Sequence, residues 1–146
     1  VGVEYEYFRA KDDTAAMELV DRLGEDGVES VYTKWIEPAV TVGSLVAYVR
    51  GSEWTEETVD LGPSLPEDGD EEGPWTFSVD DGVRDTLALI EDERLRELAV
   101  WWSRAPELAR SGMALEEELL PILSRLIQLA RRAQAAELHL YCRCNL

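Results

Sequence analysis

Leu138-His139-Leu140-Tyr141-Cys142-Arg143-Cys144 is the stretch on which the reading of the fold turns. Its alternation is the period of a strand, so Leu138, Leu140, Cys142 and Cys144 share one face while His139, Tyr141 and Arg143 share the other. Near the opposite end, Val3-Glu4-Tyr5-Glu6-Tyr7-Phe8 alternates in the same way and is rich in aromatic and β-branched residues. Between these two strands the patterns are mostly helical, with no steady strand-helix-strand rhythm. This predicts an α+β fold: one compact domain over residues 1–146, a mainly antiparallel sheet with helices packed on it, and a long C-terminal helix before the closing strand.

Working inward, Asp12, Asp13 and Thr14 offer N-cap oxygens to a helix carrying Met17, Leu19, Val20 and Leu23, which Gly24 and Gly27 stop. Val28 to Trp35 reads as a second strand. From Pro38 the period changes. Val42, Leu45, Val46 and Val49 fall at helical spacing, Pro38 suits a first turn and Gly51 a C-terminal cap, although Val40-Thr41-Val42 also suits a strand. Thr55 to Thr58 reads as a short helical turn. Residues 62–74 hold three Pro, three Gly and five acids and read as a surface loop. Trp75 to Val79 resumes as a strand, and Asp80 or Asp81 caps a helix with Val83, Leu87 and Ile90 on one face. Leu95, Leu98, Ala99 and Trp102 define the next helix, which Pro106 closes; only Trp102, not Trp101, is in phase with that stripe. Leu115, Leu119, Ile122, Leu126, Ile127, Leu129, Ala130 and Ala133 mark the last helix, which either starts near Pro121 or kinks there.

The chain carries 31 Asp and Glu against 14 Lys and Arg, a net charge of −17. Residues 1–80 hold 20 acids and 5 bases, and residues 81–146 hold 11 acids and 9 bases. Such a field repels phosphate backbones and anionic lipid, which argues against nucleic acid and membrane as partners, and it favours cationic ones. No apolar run approaches the ~18–20 residues of a membrane span and no basic-then-apolar start is visible, so a cytoplasmic setting is expected. Twelve Arg against two Lys fits the codon bias of a high-GC genome.

Few residues suggest chemistry. His139, Cys142 and Cys144 form H-x-x-C-x-C, but the strand period turns the imidazole away from the thiols, which then read as buried structural cysteines. Asp68-Gly69-Asp70-Glu71-Glu72-Gly73 begins like a calcium loop, yet position 12 falls on Val79 where a carboxylate is needed. No metal and no cofactor are therefore expected. With one histidine, no nucleophile elbow and no phosphate-binding glycine loop, no catalytic residue is assigned.

The order of elements resembles that of the YfbM-like group of bacterial proteins. The likeness lies in Tyr7-Phe8-Arg9-Ala10, the block Ile36-Glu37-Pro38-Ala39-Val40 through Gly51, Gly73-Pro74 leading into a strand before a capped helix, and the long final helix running into Leu138-His139-Leu140-Tyr141-Cys142. The resemblance implies a compact α+β fold and brings no activity or catalytic residue with it.

The function expected from these features is protein binding: an acidic surface built from Glu4, Glu6, Asp12, Asp13, Glu53, Glu56 and Glu57 that engages a basic partner, in the manner of an immunity or antagonist protein. The alternative is a small-molecule binder or carboxylate-dependent enzyme whose cleft is lined by Trp54 and Trp101 with Glu37 at its rim.

Overall fold

The computed structural model of the chain describes residues 3–111 and 116–146. Strand β1 (Glu4–Ala10) leads through Asp12, whose carboxylate accepts the Ala15 N–H at 2.8 Å, into helix α1 (Asp13–Leu19) and a 3₁₀ turn, Val20–Arg22. Strand β2 (Ser30–Lys34) ends at Trp35, held at φ 67° in the left-handed region that a bulky residue rarely adopts, and this turn sends Ile36 into the core. A π-helical turn (Pro38–Val42) continues into α2 (Gly43–Arg50), which stops at Gly51 with φ 71°. The helical alternative for this segment is thus the one adopted. Thr55 to Thr58 makes a single turn, closed by the Thr58 N–H on the Thr55 carbonyl at 3.0 Å.

Strand β3 (Trp75–Val79) is followed by α3 (Asp81–Ala88), capped by Asp80, then a 3₁₀ turn (Asp92–Arg94), α4 (Leu95–Ser103) and α5 (Pro106–Ser111), so the proline beyond α4 opens a further short helix. Helix α6 (Glu116–Ala135) runs through Pro121 instead of starting at it. Pro121 is exposed, so water can serve the carbonyl that its missing N–H would have bonded, while Leu119, Leu123, Leu126 and Ile127 are buried on the opposite side. Leu123 takes the core position expected of Ile122, which is only partly buried; Leu115 lies outside the described residues. A reversal closes α6, with Glu137 at φ 57° and the Leu138 N–H on the Ala133 carbonyl at 2.8 Å. It delivers the chain into β4 (His139–Asn145).

The four strands form one antiparallel sheet in the order β2-β1-β4-β3. Register runs from Glu4 opposite Asn145 to Ala10 opposite His139, and from Trp75 opposite Cys144 to Val79 opposite Leu140. One sheet face supplies Tyr7, Val31, Val79, Leu140 and Cys142 to the main core under α2, α3, α4 and α6. Trp102 completes that core, fully buried, with its indole N–H on the Thr41 carbonyl at 3.0 Å. Trp101 is half-buried and stacks on Tyr48, ring centroids 4.1 Å apart. The opposite sheet face is half covered: Ala16 of α1 and Val20 of the 3₁₀ turn after it pack over Phe8, Ala10 and Tyr141. Among the described residues, no helix is long and apolar enough to cross a membrane.

Two stability predictions follow from this packing. Trp102→Ala lowers unfolding free energy by about 3–5 kcal/mol, and Trp101→Ala by clearly less, in urea titrations. Glu137→Gly raises stability by roughly 0.5–1 kcal/mol, because glycine adopts the left-handed position freely and the change also removes an acid from the negative end of a helix dipole.

Candidate functional site

The half-covered sheet face leaves an open cleft of about 610 Å³ where three chain segments meet. One wall is the β1–α1 turn, with Lys11, Asp12, Asp13 and Thr14; the other is the β3–α3 junction, with Asp80 and Asp81. Ser78, His139 and Tyr141 form the floor. The register explains this convergence. Pairing Ala10 with His139 and Val79 with Leu140 brings the ends of β1 and β3 to either side of the start of β4. Each of those strand ends passes directly into a helix whose first residues are aspartates.

The carboxylates are held in place by the fold itself. Asp80 accepts the Val83 N–H at 3.2 Å as helix cap, and its other oxygen accepts the Asp60 N–H at 2.7 Å. Asp13 accepts the Tyr141 hydroxyl at 2.7 Å. Burial, reinforced by this bond to an acid, pushes the Tyr141 phenol well above its ordinary value. Asp81 Oδ1 lies 2.7 Å from His139 Nδ1 and 3.4 Å from Arg84 Nη1. These bonds engage one oxygen each of Asp12, Asp13 and Asp81, and among the described residues none bonds their second oxygens, which can meet a ligand. Near the rim, Gly62 donates its N–H to the Ser78 carbonyl at 2.9 Å, and a Cβ there would fall 2.1 Å from Ser78 Oγ. A larger residue at this position would force the Ser78 hydroxyl into another rotamer.

Of the residues singled out from the sequence, Asp12 and Asp13 are in this cleft. Glu4 and Glu6 sit on β1, and Glu6 accepts the Ser30 hydroxyl at 2.6 Å. Strand β1 is extended from Glu4 to Ala10, which at ~3.3 Å per residue spans roughly 20 Å between Glu4 and the turn that carries Asp12. Glu53, Glu56 and Glu57 are exposed in the loop after α2. The seven acids expected on one surface are therefore distributed over three places. Glu37 caps the π-helical turn, accepting the Ala39 and Val40 N–H groups at 2.5 and 2.7 Å. Trp54 folds back to donate to the Ala39 carbonyl at 2.9 Å, and Trp101 packs against Tyr48. None of these three lines the aspartate cleft.

Asp80, Asp81, His139 and Tyr141 are the members that sequence reasoning missed as a site. Their local roles were visible as a helix cap and one face of a strand, but only the strand register brings them together. On the opposite face of β4 from His139, the Cys142 thiol is fully buried and its pKa is pushed well above the usual range by that burial.

The phenols predict how stability changes at high pH. Tyr7 and Tyr141 both have folded-state values raised by burial above the unfolded value of about 10. Their contribution is fully present below pH ~10 and is lost as pH rises beyond it, because the unfolded chain then releases protons more readily. Urea midpoints should fall above that pH, and Tyr141→Phe should flatten the fall. Comparison with protein-family models, with curated proteins and with solved structures yields no match for this chain.

Proposed function

We propose that the chain is a binding protein whose aspartate cleft receives a cationic side chain of a basic protein partner, in the manner of an immunity or antagonist protein. The observation that carries this reading is the convergence of Asp12, Asp13, Asp80 and Asp81 around one open cleft, with Lys11 the base at its wall. Carboxylates already oriented by caps, a phenol and an imidazole lose little freedom on meeting a ligand, and an arginine fork can bond two carboxylate oxygens in parallel. The net charge of −17 adds long-range attraction for the same class of partner. Kinship with YfbM-like proteins, proposed on the order of elements, brings no activity, so the reading rests on the cleft. A cytoplasmic setting accords with two buried, unpaired cysteines.

A second reading, small-molecule binding or carboxylate-dependent chemistry, is favoured by the pairing of His139 with Asp81 in the same cleft. A carboxylate that orients an imidazole is the arrangement a general base needs. The tryptophans expected to line such a cleft lie elsewhere.

Titration with an arginine-rich peptide, followed by amide chemical shifts, tests the first reading. Shifts should centre on Lys11–Thr14 and Ser78–Asp81 and weaken steeply with salt, since exposed charges are screened beyond ~8 Å near physiological ionic strength. Asp12→Asn with Asp81→Asn should weaken binding roughly tenfold or more, whereas the charge-matched pair Glu71→Gln with Glu72→Gln should not. Equal losses from both pairs would mean that the peptide senses net charge alone and would defeat the cleft assignment.

A further inference from the structure

The two outer edges of the sheet are unlike each other. Along β3 the outer edge is occupied: Leu65 and Thr76 exchange main-chain hydrogen bonds at 2.8 and 3.0 Å, and Leu61 bridges Val79. Along β2 the main packing partners are β1 and α6, and α6 lies on the sheet face, not at its edge. The Trp35 N–H bonds the Val3 carbonyl at 3.1 Å, and strand alternation then turns the main-chain groups of Val31 and Thr33 toward β1. Those of Ser30, Tyr32 and Lys34 point outward. Among the described residues, no backbone partner from outside the sheet reaches them.

This edge lacks most of the usual protection against pairing: it has no proline and no inward-pointing charge, and Lys34 is its single charged residue. In a chain of net charge −17, Ser30–Lys34 contains no acid. We propose that β2 is the docking edge for a second copy of this chain, pairing antiparallel about Tyr32 to give one continuous sheet across a two-fold axis.

The register follows from which groups point outward. Tyr32 faces its own symmetry mate, and Ser30 faces Lys34 of the second copy, giving about six main-chain hydrogen bonds. The side chains agree with it. Ser30 donates its hydroxyl to Glu6 at 2.6 Å, so a lysine brought opposite Ser30 arrives beside the Glu6 carboxylate. This happens twice across the axis. Tyr32, 48% exposed, meets an identical aromatic ring and covers it. The pairing is therefore self-complementary in hydrogen bonds, shape and local charge, although the two molecules as wholes repel. It uses none of the cleft residues and stands or falls separately from the cleft.

Sedimentation equilibrium of the full chain, at ~20 mM and ~500 mM salt, tests the proposal. A monomer–dimer equilibrium that tightens by about an order of magnitude with salt is expected, because screening relieves the net repulsion more than it weakens the exposed lysine pairs. Lys34→Glu should weaken association roughly tenfold, since the like-charge contact with Glu6 occurs twice. Tyr32→Pro should abolish it, removing an N–H that points away from the rest of the sheet. Far-ultraviolet circular dichroism of each variant verifies that it is folded. A monomer at every concentration and salt, or a dimer indifferent to Lys34→Glu, would overturn the proposal.

Discussion

Everything in this molecule is arranged around β4, which hydrogen-bonds to β1 on one side and to β3 on the other. Its side chains are buried on the core face and, at Tyr141, on the other. Leu140 and Cys142 enter the main core, and Tyr141 is covered by α1 and stacked on Phe8 with ring centroids 5.7 Å apart. A strand with one face packed in the core tolerates no slip, because a shift of one residue exchanges its two faces. Fixing its register aligns the ends of β1 and β3, hence the first turns of α1 and α3, hence the aspartates. The cleft is a consequence of that alignment.

Much of this was legible from periodicity. The alternation in Val3–Phe8 and Leu138–Cys144, a cap at Asp80 or Asp81, which falls on Asp80, and the stripe ending in Trp102 all correspond to elements of the structure, because each depends on local geometry that side-chain spacing reports. Two things were not legible. Pro121 suggested a helix start or a kink; exposure of the proline and burial of Leu119 and Leu123 carry the helix through it, and neither is a local property. The site escaped for a related reason: Asp13 and Tyr141 are 128 positions apart and meet only through strand pairing. Abundance of acids also hid the relevant ones, since Asp80 and Asp81 look no different in sequence from the solvated run at Asp68–Glu72.

A chain with so large an excess of acid holds together by placing its arginines where carbonyls and carboxylates converge. Arg84 is 14% exposed; it binds Asp85 at 2.9 Å and donates to the Leu138 carbonyl at 2.9 Å, tying α3 to the start of β4. Arg131 reaches from α6 to the carbonyls of Ala88, the last residue of α3, and of Ile90 just beyond it, and to Asp92. Arg132 and Arg9 both meet Glu29 just before β2. Three of these four arginines, Arg84, Arg131 and Arg132, come from residues 81–146, and Arg9 comes from the acidic half. The acids of that half are left largely to solvent and to the cleft.

The place of β4 also bears on the order in which the protein can form during synthesis. Strand β1 emerges from the ribosome with β2 as its available neighbour, yet its other edge must wait until more than a hundred further residues have been made, and the inner edge of β3 until about sixty more have followed it. Contacts this distant in sequence are slow to close. For that interval the nascent chain presents unpaired strand edges in the company of most of its negative charge, and mutual repulsion between neighbouring nascent chains is a physical means of keeping those edges from joining one another before β4 arrives. On the polysome, the acid excess would act as a spacer.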